Sequence, residues 1–529
     1  MHDAVALEAP IRKLSIVTLA RASAPTLAEV SLVLASGLLT VLSFPDFDLW
    51  FLAWFSLIPL LVVVVFTLNA LRAFVLGLLW GAIFFYGTCW WLTYPMIHYA
   101  HVPAWAAYPL FLLPVLLVAV FPAVFCLLLS RVIARFGIGG IFIVPLIWTS
   151  LELARYAITG QLWNAIGYSQ AFHPLLIQAA RWGGVYAVSF LILLTNAALA
   201  FVAVRLTLRA IVFSLSVLIL TVLVVITAYK LPHDGLHAVS SESVIAVQPN
   251  VPMEGVEDAA TMNQLLNRHI ELSTQGLANT PRGFGTWRLV IWPESPMNFS
   301  YSRDQHLQSE VAKFARAEAT FLLLNSLEPS VDGGGYNSAI LINQMGEKVA
   351  QYDKIRLMPF GEYVPLPRWL PGASSVRGLV GEFTPGDSYT LMPLGAFRAG
   401  VFICIEAAHP SIARMFTNEG ADVLINISND GYLGPTPVMR QHLANAVFRA
   451  VENDRRLIRV TNSGISGFIQ SNGEVIDPTP GFQPAIRTWS VSGTAFGKTF
   501  YTRHGDLFVY ACALIALGFL SAAFMTRRN

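Results

Sequence analysis

The sequence predicts a transmembrane bundle of eight helices into which one polar α/β domain is inserted. Three observations predict it. The 529-residue chain is 55% hydrophobic and 12% charged, about half the charged fraction of roughly 25% usual in soluble domains, and its mean hydropathy is +0.57. The charges are unevenly placed: residues 230–506 hold 22 of the 34 Lys and Arg and 26 of the 32 Asp and Glu. Outside that segment, apolar stretches recur at lengths close to the ~20 residues that cross a bilayer.

Residues 1–25 place Arg12, Lys13 and Arg21 around a short apolar patch with no small-residue cleavage site after a long apolar core. They read as a cytoplasmic N-terminal extension rather than a removed leader. Apolar spans follow at 26–44, 50–69, 75–97, 104–130, 138–154, 184–204 and 210–229, so residues 26–229 are expected to form seven transmembrane helices. The fifth span is short and open to a tilted or re-entrant course. An eighth, 507–526, falls in the C-terminal segment 507–529.

Counting Lys and Arg on alternate sides collects Arg12, Lys13, Arg21, Arg72, Arg131, Arg135, Arg205, Arg209, Arg527 and Arg528 on one face, against Arg155 and Arg181 on the other. The positive-inside rule then puts both termini in the cytoplasm and sends residues 230–506 across the membrane. In a bacterial inner membrane that face is the periplasm. The basic residues are dispersed and the net charge is +2, so no nucleic-acid partner is indicated.

Trp50, Trp54, Trp90, Trp91, Tyr94, Tyr99, Trp105, Trp163, Tyr168, Trp182 and Tyr186 cluster at span ends and read as an interfacial belt. The polar stretch Glu152 to Trp182 is a candidate lining for a lipid entry path beneath the outer domain. His98 and His101 lack an accompanying cysteine or carboxylate cluster and read as a surface pair, so neither a metal nor a cofactor is expected.

From Ser243 the pattern changes to strands alternating with amphipathic helices. Strands are expected at 243–247, 288–292, 321–325, 338–343, 397–403, 423–427 and 457–461, and helices at 259–277, 309–318 and 441–454. A hairpin is expected over 467–474, where Ser-Asn-Gly supplies the turn. This is an α/β domain without a phosphate-cradling glycine motif.

Three polar side chains sit at or just beyond apolar strands in this domain: Glu294 after Leu-Val-Ile-Trp-Pro, Lys354 after Gln-Tyr-Asp, and Cys404 after Val-Phe-Ile. Cys404 is the one cysteine of the polar domain, the others being Cys89, Cys126 and Cys512. A carboxylate to take a thiol proton, a thiolate to attack a carbonyl and a cation to stabilise the oxyanion suit covalent acyl transfer, and a nearby Lys is expected to lower the thiol pKa. Each residue also has a structural reading. Cys404 serves as a small buried hydrophobe, Glu294 as a neighbour of a helix cap, and Lys354 as a solvated loop charge.

WPES at 292–295, YDKIRLMPFGEYVP at 352–365, FICIE at 402–406 and NISNDGYLG at 426–434 resemble the Glu, Lys and Cys segments of the carbon-nitrogen hydrolase (nitrilase) superfamily. With the spans, GYSQ at 167–170 and GVYAVSFLILLTNAALA at 184–200, the chain resembles its membrane-bound branch, the apolipoprotein N-acyltransferase family. The resemblance implies a nitrilase-like αββα sandwich for the domain. It also implies Glu294 as general base, Lys354 for the oxyanion, Cys404 as nucleophile, and Glu362 and Glu406 as orienting acids. The implied reaction is ping-pong, from a phospholipid acyl donor through a Cys404 thioester to the α-amino group of a diacylglyceryl apolipoprotein acceptor, with membrane lipids as surroundings.

The pattern departs from the family at Ile405, where an aromatic residue is usual, at Tyr432-Leu433, where Trp-Phe is common, and after Gln248-Pro-Asn-Val-Pro252, where a tryptophan is common. These changes bear on acyl-chain fit more than on thioester chemistry. The apolar, proline-punctuated run 365–380 reads as a mobile lid or a packed loop. Three other functions remain open: a membrane-tethered nitrilase-like amidase using the same residues with water as acceptor, an idle lipid-binding scaffold, and a Cys/His hydrolase using His409 or His442.

Overall fold

The computed structural model describes residues 24–67, 69–231, 241–254, 258–278, 280, 287–297, 299–330, 333–364, 383–395, 397–492 and 497–525. The expected N-terminal extension lies almost wholly outside the described residues, and so does the expected lid at 365–380.

Among the described residues six helical segments are long and apolar enough to cross a membrane: Ala70–His98, Ala104–Phe136, Ile138–Thr159, Ala180–Val204, Leu208–Lys230 and Leu507–Phe524. Six of the eight expected spans are thus matched by helices of that length, and two shorter apolar segments, Leu27–Leu42 and Trp50–Phe66, stand at the other two. Helix α1 (Leu27–Leu42) has 16 residues, about 24 Å at 1.5 Å per residue, against a hydrocarbon core of ~30 Å. The second expected span breaks into a 3-10 turn, Trp50–Trp54, and helix α2, Ile58–Phe66.

Neighbouring helices satisfy that break. The Asn196 side chain accepts from Leu57 N (2.9 Å) and donates to Ala53 O (2.9 Å), and Ser36 Oγ donates to Ser56 O (2.7 Å). Non-helical backbone survives in apolar surroundings only when protein groups complete its hydrogen bonds.

Helix α3 (Ala70–Cys89) approaches α4 (Ala104–Phe136) closely. A Cβ at Gly77 would lie 2.4 Å from Pro122 O, so a small residue is required there. The bundle continues with α5 (Val144–Thr159), α6 (Ala180–Val204) and α7 (Leu208–Lys230).

Twelve strands among the described residues make two six-stranded sheets. The first runs β12-β1-β2-β3-β4-β5, built from β1 (Ser241–Gln248), β2 (Arg288–Ile291), β3 (Phe321–Pro329), β4 (Gly335–Ile342), β5 (Lys348–Asp353) and β12 (Ala485–Ser492). The second runs β11-β10-β9-β8-β7-β6, built from β6 (Leu391–Leu394), β7 (Phe397–Ile403), β8 (Val423–Ser428), β9 (Leu457–Thr461), β10 (Gly467–Ile469) and β11 (Val475–Ile476). Each has a parallel centre, β1-β2-β3 and β7-β8-β9, with antiparallel flanks.

The two-residue period of a strand sorts the apolar side chains. Ile245, Val247, Val290, Leu322 and Leu324 pack outward under α8 (Ala259–Ala278) and α9 (Gln305–Glu318). Val244, Ala246, Leu289, Ile291 and Leu323 join the core that includes the second sheet. Helices α10 (Pro410–Asn418) and α11 (Val438–Asn453) pack against the second sheet, completing four α-β-β-α layers. The expected strands and helices are present. Strand β5 was expected only as the stretch before Lys354, without bounds, and strands β6 and β12 and helix α10 were not expected.

Helix α11 is buried at Val438 and from Gln441 to Asn453 although it carries Gln441, His442, Asn445, Arg449, Glu452 and Asn453. It lies between the second sheet and α6 of the bundle. Arg449 donates to Glu452 (2.8 Å) and to Tyr168 Oη (3.2 Å), and Glu452 accepts from Val185 N (3.1 Å) just past the Gly183–Gly184 kink of α6. A polar helix thus seams the domain to the bundle. The last helix, α12 (Leu507–Phe524), follows a short turn of helix at Phe500–His504 and packs against α5 and α6.

Candidate active site

The site residues come from the carboxyl ends of strands in both sheets. Pro293 follows β2, and Trp292 is held by Leu323 O (2.8 Å) and Ser273 Oγ (2.9 Å), which fixes the departure of the chain to Glu294. Lys354 directly follows β5, its backbone N donating to Asn337 O of β4 (2.8 Å). Cys404 directly follows β7 and has φ +52°. That left-handed conformation turns the chain abruptly from strand into the 3-10 helix Cys404–Ala408, at a cost of about 1–2 kcal/mol for a residue with a Cβ.

The structure brings Glu294, Lys354 and Glu362 together. Lys354 Nζ donates to Glu362 Oε1 at 2.9 Å and lies 3.5 Å from Glu294 Oε1. Asn337 Nδ2 donates to both carboxylates, at 2.8 Å to Glu294 and 2.7 Å to Glu362. Glu294 Oε2 accepts from Asn429 N (3.0 Å), and Glu362 Oε2 from Met358 N (2.7 Å). Lys354 is 1% exposed, so the reading of a solvated loop charge is corrected.

Glu406, two residues past Cys404, is fully buried. One oxygen accepts from Tyr352 Oη (2.8 Å), Ile355 N (2.8 Å) and Arg356 N (3.0 Å), and the other from Ile403 N (2.8 Å). It therefore ties the loop after Lys354 to the strand end before Cys404. Burial pushes its carboxyl pKa up, opposed by the bonds from Ile403 and Arg356.

Charge is strongly coupled across the site. Burial would lower the Lys354 pKa, but the Glu362 and Glu294 carboxylates overcome it and leave the ammonium firmly protonated. The Cys404 thiol is pushed well up, by burial first and the Glu294 carboxylate second, with Lys354 opposing. Lys354 lowers the thiol pKa as expected, but burial and the carboxylates outweigh it. The carboxylates of Glu294, Asp430 and Glu362 and a buried site outweigh one cation, so the resting group is a neutral thiol.

The Cys/His alternative does not fit this geometry. His409 Nδ1 faces Tyr156 Oη at 3.4 Å, and burial pushes its pKa down to about 3. His442 Nε2 faces the backbone O of Cys404 at 2.9 Å, not the sulfur.

The helical region supplies one wall. Trp91 and Trp163 are buried with Ile405, Ala408, Leu433 and Val438, and Cys404, Tyr432 and Met358 pack against that cluster. Gln441 Oε1 accepts from Trp91 Nε1 (3.1 Å) and Trp163 Nε1 (2.8 Å), while Gln441 Nε2 donates to Thr88 O (2.9 Å) and Pro45 O (3.3 Å). The belt reading is corrected for these two tryptophans. They belong to the site, on the side where Ile405 lacks an aromatic ring. Tyr432 stacks on Tyr99 of the helical region at 4.8 Å and 11°. Of the polar stretch 152–182, Trp163 lines this wall. Tyr168 reaches Arg449 in the seam.

Asn337, Tyr352, Asn429 and Gln441 were not expected as site residues. Tyr352 and Asn429 lie inside the motif segments that carry Lys354 and follow β8. Asn337, on a strand that carries none of the motifs, has no comparable signal.

A family model described as the apolipoprotein N-acyltransferase N-terminal domain matches residues 36–198, and a carbon-nitrogen hydrolase model matches residues 246–488. The chain is 32% identical over 502 residues to the apolipoprotein N-acyltransferase of Geobacter metallireducens, covering 92% of this chain and 94% of that protein. It is 31% identical over 469 residues to that of Rhizobium rhizogenes, covering 84% and 86%. With that of Pasteurella multocida it shares 27% identity over 496 residues, covering 91% and 93%.

Proposed function

The chain belongs to the apolipoprotein N-acyltransferase family and is an acyltransferase; from that premise we propose that Cys404 carries an acyl chain from a membrane phospholipid to the α-amino group of an apolipoprotein's N-terminal diacylglyceryl-cysteine. Glu294 takes the thiol proton as the sulfur attacks the ester carbonyl. The Lys354 ammonium faces the developing oxyanion. Collapse breaks the ester C–O bond, and the lysophospholipid alkoxide leaves with the proton held by Glu294. The acceptor amine then attacks the thioester and gives a proton to Glu294. The C–S bond breaks, and the proton returns to the thiolate as the amide is released. Glu362 and Glu406 orient Lys354 and the two loops that meet at Cys404.

The observation that carries this reading is the pairing of the Glu294–Lys354–Glu362 constellation with a wall made by Trp91 and Trp163 from the helical region. A thiol placed against membrane-derived aromatic residues suits donors and acceptors whose acyl chains stay in hydrocarbon. The amidase reading accounts for the same acid, cation and thiol but gives that wall no role.

For topology we propose an inner-membrane protein with both termini cytoplasmic, residues 26–229 in the membrane, 230–506 as a periplasmic catalytic domain and a last crossing from 507. The distribution of Lys and Arg supports it. The segments Leu27–Leu42 and Trp50–Phe66 would complete eight crossings, packed among the longer helices.

The test uses purified full-length protein in detergent with a phospholipid carrying a labelled acyl chain, followed by a diacylated lipopeptide with a free amine. The label is expected to pass to the amine in wild type and not in Cys404→Ala. Discharge to water alone would establish the amidase reading instead.

A further inference from the structure

Behind the nucleophile the structure holds a second buried constellation that the proposed chemistry does not use. His442, on α11, is 3% exposed. Its Nδ1 lies 2.8 Å from Asp430 Oδ1, and its Nε2 lies 2.9 Å from the backbone O of Cys404. Asp430 also accepts from Arg459 Nη2 at 2.9 and 3.2 Å and from Ser428 Oγ at 3.1 Å. Arg459 is itself fully buried and donates onward to Asn426 Oδ1, whose amide nitrogen returns to Phe402 O (3.2 Å) at the end of β7.

A neutral imidazole carries one N–H and one bare nitrogen, so it can donate on only one side. Here both partners are oxygens with nothing to give. A peptide carbonyl is never a donor. Asp430, beside the Arg459 guanidinium and His442, is held well below the usual carboxylate range in spite of burial, so it is ionised. Each ring nitrogen must therefore bear a hydrogen. His409 makes the contrast: its Nδ1 faces a tyrosine hydroxyl, which donates as readily as it accepts, and a neutral ring suffices there.

We propose that His442 is a permanently charged imidazolium that acts as a positioning residue for Cys404. Its Nε2–H clamps the carbonyl of a residue held at φ +52°. Because a trans peptide directs its C=O and N–H to opposite sides, the same bond sets the direction of the Ile405 N–H. The ring also places its positive charge against the backbone carbonyl of Cys404. The groups facing it are Asp430 from the segment after β8, Arg459 from β9, Cys404 at the end of β7, and the indole of Trp163 at 5.6 Å from the helical region. On balance burial first and Arg459 second lower the pKa of the ring, against Asp430 and the Cys404 carbonyl. The two acceptor contacts decide for the cation.

The kinetic part of this inference rests on the reading of Cys404 as nucleophile; the charge state does not. Full-length protein labelled with ¹⁵N-histidine in detergent gives ring resonances, with His442 assigned by their loss in His442→Gln. The expected result is two protonated ring nitrogens from about pH 6 to about pH 9, where a free histidine would be neutral over most of the range. A singly protonated ring at pH ~8 overturns the proposal.

In His442→Leu, single-turnover thioester formation is expected to slow at least about tenfold with the half-saturating phospholipid concentration unchanged. If a folded His442→Leu forms thioester within about twofold of the wild-type rate, the positioning role is overturned. Should His442→Leu fail to fold, His442→Gln takes the kinetic arm. It keeps a donor for the carbonyl but loses the charge, and it is expected to slow by at least about threefold. Wild type that forms no thioester would sink the Cys404 reading and leave the resonances to decide the imidazolium.

Discussion

Asn337→Leu keeps the heavy-atom count and branching of the side chain and removes an amide that bridges Glu294 and Glu362. The bonds lost are those of Nδ2 at 2.8 and 2.7 Å, and Asn325 Nδ2 loses Asn337 Oδ1 (2.7 Å) while keeping Ser338 O (3.0 Å). The backbone bond from Lys354 N to Asn337 O stays, so the strand that carries the lysine is not disturbed. Glu362 retains Lys354 Nζ and Met358 N, whereas Glu294 is left with Asn429 N and an ammonium at 3.5 Å.

A hydrogen bond to a charged group contributes about 1.5–3 kcal/mol. Loss of the Glu294 bond alone, at about 2 kcal/mol, slows the step that needs a fixed base by roughly thirtyfold. The assay is single-turnover formation of the acyl-enzyme from labelled phospholipid, with thermal melting as the check on folding. The variant is expected to slow roughly thirtyfold with the half-saturating phospholipid concentration unchanged. A folded variant within about threefold of wild type would refute the assignment of Asn337 to the site.

Other perturbations test other parts of the account. Gln441→Leu removes the acceptor shared by Trp91 and Trp163; it is expected to cost about 1–3 kcal/mol of stability, read as a lowered melting temperature, and to weaken phospholipid saturation. Glu406→Gln puts an amide where four donors converge, so at least one buried donor is left unpaired, a loss of about 1–3 kcal/mol visible in both melting and rate. His269 is buried under the first sheet, and burial lowers its pKa from 6.5 to about 4. A base whose pKa falls on folding binds fewer protons folded than unfolded, so its contribution is complete above 6.5 and is lost as pH drops. Between about pH 7.5 and about pH 5 that is roughly 2 kcal/mol, and melting of His269→Gln should depend correspondingly less on pH over that range.

What the sequence made legible was whatever is written locally. Val-Phe-Ile before Cys404 and Leu-Val-Ile before Glu294 mark strands that end on a reactive side chain, and both strands are present. Strand β5 was legible only as the end that delivers Lys354 and not in its extent, because Lys348-Val-Ala-Gln-Tyr-Asp is weakly apolar and gains its place by pairing with β4. Strand β12 pairs with β1 across more than two hundred residues, a contact no local pattern announces. The break between Trp54 and Ile58 depends on Asn196 of a distant helix, so hydropathy alone read one continuous span. Trp91 and Trp163 have the composition of an interfacial belt, and only Gln441 of α11 reveals that they face the domain. The sign of the Cys404 shift was illegible for a related reason: Lys354, Glu294 and Glu362 were visible in the sequence, but the burial and the Asp430 carboxylate were not.

The most direct measurement of the central claim is intact-mass analysis of full-length protein after incubation with a phospholipid of defined acyl chains. The account predicts one added acyl group on wild type, located at Cys404 by peptide mapping and removed by neutral hydroxylamine, and none on Cys404→Ala. An acyl group that persists in Cys404→Ala, or a wild type that gains none, would contradict it.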